Sequence, residues 1–150
     1  MKKIGQSAFE SCSSLTSITM PDSITSVGED AFYCCSSLKD VVLSKNIKVI
    51  NRYTFSNCSA LETIDIPENV LTISQAAFSY DKNLKMINVL GSKTKMDQNS
   101  IGTGYWYVDD DGNLEGCGQL VIRCPKASTT YENYVEFFED IENVTVEIVE

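Results

Sequence analysis

Residues Ile4 to Ser26 read IGQSAFESCSSLTSITMPDSITS, and Val27 to Val49 read VGEDAFYCCSSLKDVVLSKNIKV. The second string is a copy of the first. INRYTFSNCSALETIDIPENVLT, from Ile50 to Thr72, and ISQAAFSYDKNLKMINVLGSKTK, from Ile73 to Lys95, repeat the unit twice more. A period of 23 residues therefore governs residues 4–95, and a period in this range is the signature of a stacked-repeat architecture.

The columns of the alignment are chemically coherent. Ile4, Val27, Ile50 and Ile73 open the copies, and Phe9, Phe32, Phe55 and Phe78 recur five places later. Leu15, Leu38, Leu61 and Leu84 follow, then Ile18, Val41, Ile64 and Ile87, then Met20, Leu43, Ile66 and Val89. The resulting Leu-x-x-Ile-x-apolar alternation predicts one short strand per copy. The half before it, such as Ser7-Ala8-Phe9-Glu10-Ser11-Cys12, is spaced for one or two helical turns and ends on a polar pair such as Ser13-Ser14. A unit this small cannot bury its own apolar face, so the copies must stack and merge their columns into one core. The expected architecture is an α/β solenoid with a parallel sheet.

The same residues resemble the BspA-like branch of the leucine-rich repeat family, whose unit runs I-G-x-x-A-F-x-x-C-x-x-L-x-x-I-x-I-P-x-x-V. Copies one to three match it closely. Copy four departs, with Asp81 in place of the cysteine, Leu90 in place of the proline, and Lys93 where Ile24, Ile47 and Val70 stand in the other copies. The resemblance implies a right-handed solenoid with short parallel strands on its concave face and helical turns on its convex side. It also implies a non-enzymatic module at a cell surface or in a secreted protein, which binds a protein or glycan in adhesion or host interaction. A spacer role within a larger surface protein is the alternative.

Beyond Lys95 the period breaks, and residues 96–118 read as an insertion. The run Tyr105-Trp106-Tyr107-Val108 followed by Asp109-Asp110-Asp111-Gly112-Asn113 predicts a β-hairpin turning at Asp-Gly. Leu120 to Pro125 then matches the repeat strand ending Ile64-Asp65-Ile66-Pro67, delayed by twelve residues beyond whole periods. Tyr131, Tyr134, Val135, Phe138 and Ile141 at helical spacing predict a capping helix. Val144, Val146 and Ile148 predict a last strand, its open edge guarded by Glu147 and Glu150. One domain, 1–150, is expected, with residues 119–150 as its terminal strand and cap.

Composition narrows the chemistry. A net charge of −9 disfavours nucleic acid and anionic surfaces as partners, and no apolar run approaches the ~18 residues of a membrane span, so direct membrane insertion is not expected. The opening Met1-Lys2-Lys3-Ile4-Gly5-Gln6-Ser7 has no apolar stretch behind its basic pair and does not read as an intact secretory signal. The chain has no histidine, which removes the usual general base and the commonest metal ligand.

The candidate sites follow from this frame, and none calls for catalysis, a cofactor or a metal. Residues alternating with the strand core, Ser17, Thr19, Asp40, Val42, Thr63, Asp65, Met86 and Asn88, face outward from the sheet and are the expected ligand-binding surface. Tyr105, Trp106 and Tyr107 offer an alternative, a carbohydrate-binding hairpin reaching to Asn113. Cys12, Cys35 and Cys58 occupy one column and read as small core residues, whereas Cys34 is expected to face out. Cys117 and Cys124 are a possible disulfide in an oxidising compartment. The Asp109–Asn113 run lacks the glycine and glutamate register of a calcium loop and reads as a turn.

Overall fold

The computed structural model describes residues 2–102, 108–126, 137–138 and 140–150. Its regular structure is a ladder of parallel strands, β1 to β11 in chain order. One series holds the predicted repeat strands: β2 (Ser17–Thr19), β4 (Asp40–Val42), β6 (Thr63–Ile66), β8 (Met86–Val89), β10 (Leu120–Pro125) and β11 (Val144–Val149). A second series falls later in each copy: β1 (Lys2–Ile4), β3 (Ile24–Val27), β5 (Val49–Ile50), β7 (Thr72–Ile73) and β9 (Lys95–Met96). The chain thus winds through about six coils as a parallel-strand solenoid.

The expected helical turns are absent, which corrects the α/β expectation. Among the described residues only Phe137 and Phe138 are helical. In each copy the Ser-Ala-Phe half instead donates alternate backbone N–H groups to the next copy, while those between them close tight turns within the copy. Ser7, Phe9 and Ser11 bond the carbonyls of Glu29, Ala31 and Tyr33 at 3.0, 2.8 and 2.7 Å, and Asp30, Phe32 and Cys34 bond those of Arg52, Thr54 and Ser56. A helix would have spent these donors within its own turn. Their outward aim is possible because two residues per copy take the left-handed conformation. Ser7, Asp30, Tyr53 and Ala76 form one such column and Ser11, Cys34, Asn57 and Tyr80 the other, with φ between 54° and 62°. Two kinks four residues apart keep the apolar spacing of a helical turn while turning the backbone into a ladder.

The core is the set of stacked columns. Phe9, Phe32, Phe55 and Phe78 form a continuous face-to-face stack with centroids 5.2, 5.3 and 5.8 Å apart. Leu38, Leu61 and Leu84, with Ile64 and Ile87, complete it and are buried. Cys35 and Cys58 are buried as expected, and their thiols donate to the Phe9 and Phe32 carbonyls at 3.0 and 3.3 Å. Cys12 is exposed, contrary to its core assignment, because it stands on the outermost described coil and nothing stacks on its open side.

The columns run past Lys95. Met96 and Ile101 are buried at the positions of Ile73 and Phe78, and the carbonyls of Asn99, Ser100 and Gly102 accept the N–H groups of Ala76, Phe78 and Tyr80. The register then resumes where the sequence placed it: β10 pairs with β8 through Ile122 and Ile87, one period plus twelve residues apart. The final strand is also where it was predicted, with β11 parallel to β10 from Leu120↔Val144 to Pro125↔Val149.

The Asp-Gly turn forms. Val108 and Leu114 make an antiparallel bridge, and Asp109 Oδ1 accepts the N–H groups of Asp111 and Asn113 at 3.0 and 2.8 Å. The Asn113 N–H is the main cause of a lowered Asp109 pKa. Gly112, at φ 86°, takes the left-handed place that the turn requires. Of the predicted capping helix, Phe138 and Ile141 are buried, while Tyr131, Tyr134 and Val135 lie outside the described residues.

Candidate binding face

The first strand series puts its predicted outward residues outward. Ser17, Thr19, Asp40, Val42, Thr63 and Asp65 are exposed, Met86 and Asn88 half-buried. Alternation explains this directly, since Ile64, Ile66, Ile87 and Val89 between them point into the core. The face extends onto β10 and β11 through Arg123 and Glu147, whose ion pair measures 2.8 Å. Asn88 donates to Asp65 at 2.7 Å, bracing neighbouring strands across the same surface.

The face is interrupted at one place that the sequence did not announce. β2 pairs with β4, and β6 joins β8, β10 and β11, but β4 and β6 do not form a ladder. At this seam lies an open hollow of about 350 Å³, lined by Val41, Val42, Leu43, Lys45, Asp65, Pro67, Glu68 and Leu90. Val42 and Leu90 are 55% and 56% exposed and bring two apolar side chains to one groove. Of the eight predicted residues, Val42 and Asp65 line this hollow. Asp40 and Thr63 join them at a smaller recess along the same seam. Ser17 and Thr19 stand apart from it on β2. Lys45, Pro67 and Leu90 were missed. Leu90 carried a signal all the same, as the one apolar residue in a column that otherwise holds Pro21, Ser44 and Pro67.

The other candidates resolve differently. Tyr105, Trp106 and Tyr107 lie outside the described residues. Cys117 and Cys124 are not joined to each other, and the considered disulfide is not formed. Cys124 points into the core from β10, and burial followed by the Asp81 carboxyl pushes the Cys117 thiol up to about 12. Cys34 is half-buried, and its sulfur accepts the Asn57 amide at 3.2 Å. Among the described residues, no group of three or more His, Cys, Asp or Glu is placed to hold a metal, and no helix is long and apolar enough to cross a membrane.

Two residues matter that the sequence reading did not single out for these roles. Asn143 is buried and holds the hairpin segment to the last coil. Its Oδ1 accepts the Leu114 N–H at 2.8 Å, and its Nδ2 donates to the Leu114 and Cys117 carbonyls at 3.2 and 2.9 Å. Asp81 fills the cysteine column of copy four. Its Oδ1 accepts the Cys58 N–H at 2.7 Å while the buried Oδ2 has no hydrogen-bond partner among the described residues. Burial holds this carboxyl well above the usual carboxylate range.

These columns and strands define a leucine-rich repeat solenoid, and the BspA type leucine rich repeat region matches residues 1–103 in six copies. The chain belongs to that family. Among solved structures, it is similar to a leucine rich cell surface protein from Faecalibacterium prausnitzii A2-165, with 26% identity and a TM-score of 0.61. That match covers 96% of this chain and 29% of the other, so the chain spans less than a third of that relative's length. A leucine rich repeat protein of T. pallidum shares the fold at a TM-score of 0.67 and 18% identity, over 97% of this chain and 65% of the other. No curated protein matches the sequence.

Proposed function

We propose that the chain is a non-catalytic binding module that presents the outward face of its first strand series to a protein partner at a cell surface. One observation carries this reading: the seam between β4 and β6 coincides with a hollow whose walls are the exposed apolar Val42 and Leu90 beside Asp65, Glu68 and Lys45. Apolar anchors ringed by charge are the composition of a protein-docking patch, in which a few buried contacts supply the affinity and the charged rim sets orientation. The family supplies the scaffold, and the surface location rests on the description of the F. prausnitzii relative. Adhesion or attachment to a host is the role such a module would serve.

The test is a binding screen of the purified chain against extracellular-matrix proteins and a glycan array. It runs alongside Asp40→Lys/Asp65→Lys and Val42→Asp/Leu90→Asp variants, with folding checked by circular dichroism. The expected result is a protein ligand whose affinity falls at least about tenfold in both variants, the loss typical of disrupting central interface residues. Binding that survives both variants, binding to glycans alone, or no binding at all overturns the reading.

A further inference from the structure

The opposite side of the coil carries a second recess, built from tyrosines. A hollow of about 380 Å³ is lined by Asp30, Tyr33, Tyr53, Ser56 and Tyr80, drawn from copies two, three and four. Its origin is visible in one column. Glu10 and Tyr33 are followed there by Ser56 and Ser79, so the surface drops away beyond Tyr33. The Tyr33 and Tyr53 rings meet edge to face at 6.3 Å and 66°, making a corner, and Tyr80 is 48% exposed beside it.

Two of these tyrosines occupy costly positions. Tyr53 and Tyr80 stand in the left-handed columns, at φ 54° and 62°, where a bulky side chain is unfavourable and Asn or Asp is accommodated far better. Asn57 and Asp30 show that these columns accept such residues. Aromatic side chains held in strained backbone point to a role beyond the fold.

The chemistry of the lining selects the ligand. The serine floor is already satisfied, because the Ser56 and Ser79 hydroxyls bond each other at 2.7 Å and Ser56 also donates to the Ser79 carbonyl. The Tyr53 hydroxyl accepts from Arg52 at 3.2 Å. The recess offers ring surface, phenolic hydroxyls and the Asp30 carboxylate, and neither ion pair among the described residues involves Asp30. The lining holds no lysine or arginine. Arg52, outside the lining, already holds a cation over the Tyr53 ring, 4.7 Å from its centroid, which leaves the Tyr33 and Tyr80 rings for an incoming one.

We propose that Asp30, Tyr33, Tyr53 and Tyr80 form an aromatic cage for an organic cation of the quaternary or methylated ammonium class. Ring faces attract such a cation through their quadrupole, and the carboxylate adds a full charge. The site is separate from the β4–β6 seam and stands whether or not that seam binds a protein.

The test is an NMR titration of the chain, following tyrosine ring signals, with choline, its neutral carbon isostere dimethylbutanol, and a methyl glucoside. Choline is expected to bind at least about tenfold more tightly than the isostere, since only the charge distinguishes them. The Tyr53→Asn/Tyr80→Asn variant is expected to lose saturable binding while its thermal midpoint stays level or rises, because asparagine tolerates the left-handed backbone. A purely structural role for these tyrosines would lower the midpoint. Absence of a saturable choline response, equal binding of choline and its isostere, binding of the glucoside in place of choline, or full binding by the double variant each overturns the proposal.

Discussion

Residues 4–95 and the described residues of 108–150 belong to one solenoid but are held together in different ways. In the first region every contact is made several times over: four stacked phenylalanines, repeated leucines and isoleucines, and a turn ladder renewed in each copy. In the second, β10 and β11 continue the sheet, and the hairpin segment is tied to it by single attachments. Asn143 makes three of them, and Gly118 makes another, since a Cβ there would stand 2.6 Å from the Lys82 carbonyl oxygen. Repetition spreads stability along a column, whereas a non-repeating segment concentrates it in particular side chains.

That contrast can be broken most severely from within the periodic region. Phe55 is fully buried between Phe32 and Phe78, so Phe55→Ala is expected to cost about 3–5 kcal/mol in denaturant unfolding. Phe9→Ala should cost clearly less, because Phe9 is half-buried at the end of the stack. Equal costs would mean that the stack does not act as a column.

The next largest effect belongs to the single attachments. Asn143→Ala leaves a buried Leu114 N–H and two carbonyls without their partner and should cost about 1–3 kcal/mol. Amide exchange should accelerate around 114–118 and not at Ile64 or Ile87. Acceleration in both places would erase the distinction between the two regions.

Asp81 sits where the two regions meet, facing the Cys58 thiol of copy three and the Cys117 thiol of the C-terminal segment. Its folded pKa is raised above the unfolded value. Its contribution is therefore fully present below the ordinary carboxylate range and is lost as pH rises through the folded pKa, at no more than about 1.4 kcal/mol per pH unit. Asp81→Cys restores the residue of the other copies and should flatten this decline in thermal unfolding measured across pH. An unchanged pH profile would remove Asp81 from the account of the junction. The smallest change is expected from Lys85→Gln, which breaks the exposed 2.7 Å pair with Glu62; such pairs contribute little, and the denaturation midpoint should not move.

Much of this was legible because period and burial are properties of sequence. The Phe, Leu and Ile columns gave the core, the alternation around Ile64 and Ile87 gave the strands and their outward residues, and the twelve-residue delay gave the register of β10. The turn face misled because its left-handed columns hold Ser, Asp, Tyr, Ala, Cys and Asn in place of glycine. Nothing in them signalled a positive φ, and the remaining spacing matched a helix. Asp81 read as decay of the repeat, since a column shows that a residue differs and not that its second oxygen is left without a hydrogen-bond partner among the described residues. The tyrosine hollow was illegible for a related reason: Tyr33, Tyr53 and Tyr80 come from three columns and meet only when the copies stack. The seam between β4 and β6 depends on backbone pairing, which side-chain periodicity does not encode.

A single solenoid running from β2 to β11 requires the strands beyond the hairpin segment to share the stability of those before it. Amide hydrogen exchange of the intact chain tests this directly, by comparing Ile122, Cys124 and Val146 on β10 and β11 with Ile64 and Ile87 on β6 and β8. Protection of the same order in both sets is the predicted result, since these strands form one sheet. Rapid exchange confined to β10 and β11, with β6 and β8 fully protected, would contradict it and end the continuous face at β8.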